Sequence, residues 1–366
     1  MKSSYACQTF LELVNIDCVS KEEEAVSKVI QQKLTELGIS FQEDKAGKSI
    51  GGNAGNLYVY LPGTLPGSVF FSAHMDRVIG GKGIRPHVEQ DRITSSGDTI
   101  LAADDLSGVA GVLDGLRRIR ESDLPHKGVE VLFTVAEEIG LLGSKHFDYS
   151  RIRSKEGYLF DGDGRLGTIV KSAPSQAVLE IEVFGKAAHA GCEPEKGINA
   201  IIGLSRILAS IRDGRLDTES TANFSYIQGG KSSTNIVCDY AYCKGETRSK
   251  HHENMLDYIA YFHRHAKEAV GDLNVVVNTK DTLVCEAFDF DRDTAVVKNA
   301  IRVCGDMGIP CEVVDSGGCM DANIFNVHGM ETVGMGTGME EVHTFSEYQW
   351  LEDLHRIGEM IERITR

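Results

Sequence analysis

Short apolar runs that alternate with amphipathic helical segments constrain the fold of this chain more than any other feature. Apolar runs at 56–61, 68–73, 129–136 and 158–161 are interrupted by a helical pattern at 106–121. Strands that alternate with helices are typical of α/β domains in which helices cover both faces of a largely parallel sheet. The sequence therefore predicts a three-layer α/β domain with a mostly parallel sheet.

The pattern changes after Ser172. From 177 to 184 apolar and acidic residues alternate, which is the signature of a strand with one exposed face. A helix, two strands, a second helix and a final strand then follow up to 278, which gives the βαββαβ order of a ferredoxin-like α+β domain. The α/β rhythm resumes after about Asp289 and ends in a helix expected at 347–364. We therefore expect a discontinuous domain of residues 1–172 and 288–366 and an inserted domain of residues 173–287.

One surface helix is expected near the start of the chain, over residues 20–38. Ser20 and Glu23 stand at the spacing of a capping box, an apolar stripe follows, and Gly38 closes it. The segment is therefore predicted to pack one face of a helix against the domain core.

Charge and cysteine content limit the partners and the compartment. The 366 residues include 38 basic and 54 acidic side chains, and the net charge of -16 argues against binding to nucleic acid. No apolar run approaches the roughly 18 to 20 residues that span a bilayer, so no membrane association is expected. The nine cysteines are scattered and never spaced CxxC, which favours reduced thiols in a cytoplasmic protein.

Carboxylates and histidines follow the ends of the apolar runs. In open α/β sheets, ligands bind at the carboxyl ends of the strands, so these side chains are candidates for one shared site. Each motif alone has an ordinary alternative: a surface histidine, a helix N-cap or a solvated turn. The candidates are His74 and Asp76, Asp104 and Asp105, Glu137 and Glu138, Asp161, and His343.

Two of these motifs carry a specific chemical expectation. His74 and Asp76 are two residues apart, so on an extended chain Asp76 can orient the imidazole. Glu137 and Glu138 are adjacent and point to opposite faces, so one can hold a metal ion while the other abstracts a proton.

A glycine motif at 162–167 imitates a dinucleotide-binding fingerprint. Gly162, Gly164 and Gly167 spell GxGxxG, but the β-branched residues at 168–170 predict a strand. A dinucleotide site requires a helix N-terminus at that point, so an NAD-dependent enzyme is disfavoured.

Taken together and in this order, the motifs resemble the M20-type cocatalytic zinc exopeptidases related to carboxypeptidase G2, and within them the peptidase T-like tripeptidases. The resemblance covers nearly the whole chain. It implies that His74 and Asp161 bind one zinc ion, that Glu138 and His343 bind a second, and that Asp104 bridges the two. It also implies a cis peptide after Asp104.

The same resemblance assigns the remaining chemistry. Asp76 would orient His74, and Glu137 would be the general base. Ligands of nitrogen and oxygen without thiolate suit zinc, cobalt or manganese, two ions per chain. The inserted domain would act as a lid and would mediate a homodimer.

Three positions of the insert resemble residues that contact substrate in the family. His189, in the motif at 185–191, would stabilise the oxyanion, and Asn235 and Arg248 would hold the substrate. A salt bridge at a strand end is the alternative for Arg248.

The chain also departs from the family pattern at several places. Leu106 replaces a lysine that is no ligand, while Cys319 and Met320 replace glycine and serine in a loop written GGGSDAN in the peptidase T-like group. Ser316 occupies the place of an arginine that precedes this loop in peptidase T. Loss of a carboxylate-binding arginine weakens the expectation of strict tripeptide selectivity.

The predicted function is therefore dinuclear zinc-dependent hydrolysis of short peptides by a cytoplasmic aminopeptidase or tripeptidase. An aminoacylase-like amidohydrolase that cleaves N-acyl amino acids could use the same metals and base. A metal-dependent binding protein without turnover is a third possibility, which Glu137 disfavours because binding alone needs no base beside a ligand.

Overall fold

A computed structural model describes residues 4–230 and 233–366. The chain forms two compact units: one runs up to Ala173 and resumes at Asp289–Arg366, and the other is Pro174–Phe288. Within the described residues the helices are α1 (Tyr5–Val14), α2 (Glu24–Glu36), α3 (Ala46–Ile50), α4 (Ala103–Glu121), α5 (Leu142–Lys145), α6 (Ala200–Ser210), α7 (His252–Glu268), α8 (Ala295–Asp306), α9 (Asp321–Val327) and α10 (Leu351–Ile364).

The strands of the same residues are β1 (Phe41–Glu43), β2 (Leu57–Leu61), β3 (Ser68–His74), β4 (Pro86–Val88), β5 (Arg92–Ser95), β6 (Gly128–Thr134), β7 (Glu156–Asp163), β8 (Thr168–Ala173), β9 (Ser175–Phe184), β10 (Gly214–Arg215), β11 (Ser220–Gly229), β12 (Tyr240–Ser249), β13 (Val276–Cys285), β14 (Phe288–Asp289), β15 (Glu312–Asp315), β16 (Glu331–Glu340) and β17 (Tyr348–Trp350).

The sheet of the first unit is mixed. Its main path runs β1-β2-β6-β3-β7-β16-β17-β5-β4, with β8 and β15 beside it. The four central strands β6, β3, β7 and β16 are parallel, and the pairs toward both margins are antiparallel. The predicted α/β class is confirmed, with the parallel arrangement concentrated at the centre of the sheet.

Helices cover both faces of this sheet, as successive residues of β3 show. Phe70 meets Phe325 of α9 edge to face, with ring centroids 5.0 Å apart, while Phe71 belongs to the core that α4 and α10 cover. Side chains alternate across a strand, so the two rings lie on opposite faces. Helices α4 and α10 are in close contact at Gly111, where a methyl group would collide with Ile357 of α10.

The second unit is a five-stranded antiparallel sheet in the order β10-β11-β12-β9-β13. Helices α6 and α7 contribute to one apolar core with the buried alternate residues of β9, from Ala177 to Val183. The predicted ferredoxin-like α+β arrangement is confirmed.

Local expectations differ from the structure at both ends of the chain. Helix α2 begins at Glu24, and Ser20 and Glu23 form no capping box. Instead the Glu23 carboxylate accepts the backbone N–H groups of Lys21 and Ala136. The closing helix begins at Leu351, so Glu347 lies before it, in the connection between β16 and β17.

Three other sequence expectations have clear outcomes. Residues 168–173 form strand β8, so no helix follows the glycine motif. Seven cysteines are free thiols, whereas Cys285 and Cys319 are disulfide-bonded, so the expectation of nine reduced thiols is wrong at these two positions. None of the helices in the described part of the chain has the length and apolar character needed to traverse a bilayer.

Candidate metal centre

The candidate site lies at the carboxyl ends of the four central parallel strands. His74 ends β3, Glu137 and Glu138 follow β6, Asp161 lies near the end of β7, and His343 follows β16. All five predicted metal ligands and the predicted base line one cavity of about 460 Å³, within the size range of small-molecule sites. These lining residues are His74, Asp104, Glu137, Glu138, Asp161 and His343.

Asp104 occupies the centre of this group. Its Oδ1 lies 2.9 Å from Nε2 of His74, and its Oδ2 lies 2.8 Å from Nε2 of His343. Each histidine also lies near a second carboxylate. Oδ1 of Asp161 is 3.5 Å from Nε2 of His74, and Oε1 of Glu138 is 3.2 Å from Nε2 of His343. The donors therefore form two sets that share the two oxygens of one carboxylate.

The neighbouring Asp105 also lies close to the donors. Ligand atoms of His74, Asp105 and Asp161 fall within 4.8 Å of one another, as do those of His74, Asp104 and Glu138. Both oxygens of Asp105 already accept backbone N–H groups, at 3.0 Å from His74 and 3.2 Å from Gly108. Its carboxylate therefore fixes the end of β3 against α4. The Asp104–Asp105 peptide is cis, as the family resemblance implies.

Asp76 holds two parts of the site together. Nδ1 of His74 lies 3.1 Å from the backbone carbonyl oxygen of Asp76 and 3.4 Å from its Oδ1, so Asp76 orients the ring from the side away from Asp104. The same carboxylate accepts the backbone N–H groups of Glu137 at 3.0 Å and Glu138 at 3.3 Å. Ser20 donates its hydroxyl to Oδ2 at 2.6 Å. Asp76 therefore fixes the imidazole and the glutamate pair relative to each other.

Sequence reasoning missed Glu347 as a functional residue. Its buried carboxylate accepts three backbone N–H groups, from Leu101 at 2.7 Å, Ala102 at 2.9 Å and Asp104 at 3.1 Å. Ala102 has a positive φ of 58°, so this turn is an unusual one for a residue with a side chain. Glu347 therefore holds the segment that carries the central aspartate.

Asp321 supports the segment that follows β6. It is fully buried and accepts hydroxyl groups from Thr134 at 2.6 Å and Ser144 at 2.5 Å. Thr134 is the last residue of β6, three positions before Glu137. The motif containing Asp321 was recognised in the sequence, but its partners, 187 and 177 positions away, were not.

Comparisons with known proteins identify the family of this chain. The M20 peptidase dimerisation domain matches residues 175–273, and peptidase family M28 matches residues 56–190. An uncharacterised Bacillus subtilis protein, YqjE, is 37% identical over 98% of this chain and 96% of its own length. The crystal structure of aminopeptidase PepT from Bacillus cereus superposes with a TM-score of 0.89 at 37% identity, covering 99% of this chain and 97% of that one. The chain belongs to the peptidase T-like family of M20 metallopeptidases.

A second solved structure supports the same assignment. A tripeptidase from Staphylococcus aureus superposes with a TM-score of 0.92 at 30% identity, covering 99% of this chain and 97% of that one. This chain is therefore a metallo-exopeptidase, and the M20 fold class inferred from its motifs is confirmed.

The electrostatics of this M20 site are those of a buried acidic cluster. Burial, together with nearby negative charges, raises the pKa of Asp161 to about 8 and also raises the pKa values of Glu137 and Glu138. Hydrogen bonds to Asp104 and Glu138 raise the pKa of His343 to about 11. Divalent cations would supply the positive charge that ionised carboxylates need here, so the donor set fits metal ions.

The three predicted substrate residues lie in the second unit. His189 is exposed, and a β-bridge joins it to Ile236, next to Asn235. Asn235 is also exposed, and its backbone carbonyl accepts the N–H of Ala190 at 2.9 Å. Arg248 lies on β12, where its Nε donates to Glu246 at 2.9 Å. The structure therefore places His189 and Asn235 side by side, and it gives Arg248 a carboxylate partner on its own strand.

Proposed function

We propose that the protein is a dinuclear zinc aminopeptidase that removes N-terminal residues from short peptides, tripeptides above all. The observation that carries this proposal is the position of Asp104, whose two oxygens each face the Nε2 atom of a different histidine. A carboxylate placed in this way suits a pair of cations that share it, as in dinuclear peptidases. The PepT and tripeptidase structures that resemble this chain support the choice of peptide substrates.

The donor atoms divide naturally between two ions. His74 and Asp161 would hold the first ion, and His343 and Glu138 would hold the second. Asp104 would be a ligand of both ions. Imidazole nitrogen and carboxylate oxygen without thiolate are suitable ligands for zinc, and cobalt or manganese could replace it. When bound, such ions polarise the substrate carbonyl and lower the pKa of a water molecule.

Glu137 is proposed as the general base. Its backbone N–H is held by Asp76, and its side chain lines the same cavity as the two donor sets. A base in this position can take a proton from water and deliver it to the departing amine. Burial raises the pKa of Glu137 well above its usual value, which favours the proton transfer that a carboxylate of ordinary pKa performs poorly near neutral pH.

His189 is proposed as a donor to the oxyanion. Its Nδ1 accepts the backbone N–H groups of Gly191 at 3.2 Å and Cys192 at 3.1 Å. A neutral imidazole with Nδ1 as acceptor carries its proton on Nε2, so the exposed nitrogen is a hydrogen-bond donor. Donors of this type contribute about 3 to 4 kcal/mol to transition-state stabilisation. Asn235 stands beside His189 and would contact the same substrate.

Arg248 is proposed to grip the substrate carboxylate, although its ion pair with Glu246 competes for the same guanidinium. Ser316 lines the metal cavity at the position where the family resemblance expects an arginine, and its hydroxyl accepts the N–H of Gly318 at 3.0 Å. Because this serine carries no charge, Arg248 is the residue proposed to select for the C-terminal carboxylate.

A homodimer formed through the inserted domain is also proposed, because the M20 dimerisation model matches this unit. In the described part of the unit, β10 pairs only with Thr221 and Ala222 of β11, so the outer edge of residues 223–229 lacks a strand partner. Ile227 of this edge is 59% exposed, and Ile201 of α6, which lines a surface groove with Ile227, is 39% exposed. A second copy would pair this edge and bury these side chains.

Metal content is the direct test of the dinuclear centre. Wild-type protein loaded with zinc and freed of excess metal should contain two equivalents per chain, and Asp104→Ala should contain far less. Asp123→Ala, an exposed aspartate beyond the end of α4, is the matched control and should retain both. Two equivalents retained in Asp104→Ala would contradict the bridging role.

Substrate class is tested by comparing a free-amine tripeptide with its N-acetylated form and with an N-acetyl amino acid. An aminopeptidase should hydrolyse the first and leave the others intact, whereas an aminoacylase-like enzyme should release the acyl group. Glu137→Gln should abolish hydrolysis while keeping the metal content of the wild type, which separates loss of the base from loss of the site.

A further inference from the structure

Asp163 is an acidic residue of the metal cavity that the proposed chemistry does not use. It ends β7, two positions after the proposed ligand Asp161. Side chains two apart on a strand point to the same side. Asp163 accordingly lines the same cavity as the proposed ligands.

Asp163 forms no salt bridge with a lysine or arginine among the residues that the structure describes. The charges that act on it come from Asp104, Glu340 and His343. Asp315 provides the contrast: it lines the same cavity, but its carboxylate lies 3.1 Å from Nζ of Lys171. Asp163 is therefore the cavity carboxylate that remains available to a positively charged group of a ligand.

The dimensions of a peptide match this position. The α-amino nitrogen of an N-terminal residue lies about 2.5 Å from the carbonyl carbon of the same residue. A charge-assisted hydrogen bond adds about 2.8 Å. Residues two apart on a strand are about 6.6 Å apart. A substrate whose first carbonyl lies beside Asp161 therefore brings its ammonium group within reach of Asp163.

We propose that Asp163 binds the protonated α-amino group of the substrate and thereby restricts the enzyme to peptides with a free N-terminus. This specificity role rests on the proposed peptidase function and deepens it. A formyl or acetyl group removes the positive charge, so blocked peptides would leave the Asp163 carboxylate desolvated and unpaired. The ligand class is thus a short peptide with a free ammonium group beside the scissile bond.

Hydrolysis and binding test this role together. The discrimination ratio is kcat/KM for a free-amine tripeptide divided by kcat/KM for its N-formyl form. Asp163→Asn should lower this ratio about 10- to 100-fold, the effect expected for a lost hydrogen bond between charged groups. Asp315→Asn is the matched control and should leave the ratio unchanged.

The pH dependence of hydrolysis is a second measurement. In the wild type, kcat/KM should fall as the substrate amine, with a pKa near 8, loses its proton, and Asp163→Asn should flatten this fall.

Binding without turnover separates this proposal from the peptidase proposal. Zinc-loaded protein with Glu137→Gln is titrated with both peptides by calorimetry, with and without Asp163→Asn. Preference for the free amine that disappears with Asp163→Asn supports the role even if the wild type hydrolyses neither peptide. The proposal is overturned if Asp163→Asn keeps the preference, or if Asp315→Asn removes it equally.

Discussion

Glu347 offers the sharpest test of how the fold positions the metal centre. Its carboxylate accepts three backbone N–H groups around the turn that leads to Asp104: Oε2 serves Leu101 and Ala102, and Oε1 serves Asp104. Glu347→Gln keeps the size of the side chain but replaces one oxygen by an amide nitrogen, which cannot accept. At least one N–H group then loses its acceptor, and a buried donor left unsatisfied costs about 1 to 3 kcal/mol.

The same substitution should weaken metal binding, because the displaced turn carries the central aspartate. Loss of a partner that orients a ligand typically lowers metal affinity about 10- to 100-fold. Zinc affinity measured by chelator competition and urea unfolding of the metal-free protein give the two quantities. Glu352→Gln is the control, since that side chain is 69% exposed and should change stability by less than about 0.5 kcal/mol. Wild-type zinc affinity in Glu347→Gln would refute the positioning role.

Three further substitutions examine other parts of the structure. Asp76→Asn should lower zinc affinity about 10- to 100-fold in chelator competition, because the ring of His74 loses its orienting carboxylate. Burial raises the pKa of Glu23 from 4.5 to about 7, so its contribution to stability is present at low pH and is lost as the pH rises through about 7. Glu23→Gln should therefore remove up to about 3 kcal/mol of the decline in unfolding free energy between pH 4 and 8, measured in urea on metal-free protein. Ile227→Asp should convert a dimer to a monomer in sedimentation, whereas Ile79→Asp should not, because Ile79 is an exposed isoleucine of the other unit.

Three of the strands that carry the site, β3, β6 and β7, could be predicted from the sequence, because each contains a short apolar run that leads to a histidine or carboxylate of the site. The family resemblance then grouped His74, Asp104, Glu138, Asp161 and His343, and the structure brings these five together in one cavity. Neither step depends on knowing the strand order, since parallel strands of one sheet present their carboxyl ends at the same edge.

The supporting residues could not be predicted in the same way. A serine and a glutamate three apart before an apolar stripe predict a capping box, yet Ser20 bonds to Asp76. The sequence predicts a closing helix that begins at Glu347, whereas the helix begins four residues later, at Leu351. The partners of Glu347 are more than 240 positions away. Local patterns cannot distinguish a side chain that caps its own helix from one that serves a distant turn.

Asp76, Asp105 and Glu347 share one physical role that explains why so many acids are buried here. Each is a buried carboxylate that accepts backbone N–H groups next to a proposed ligand or base: Asp76 at Glu137 and Glu138, Asp105 at His74, and Glu347 at Asp104. Burying a carboxylate is costly unless its oxygens are hydrogen-bonded, and these backbone donors meet that need. The negative charge that would attract the cations is therefore held by groups that also fix the ligand backbone. Selection for tight metal binding and selection for a rigid ligand geometry consequently act on the same side chains.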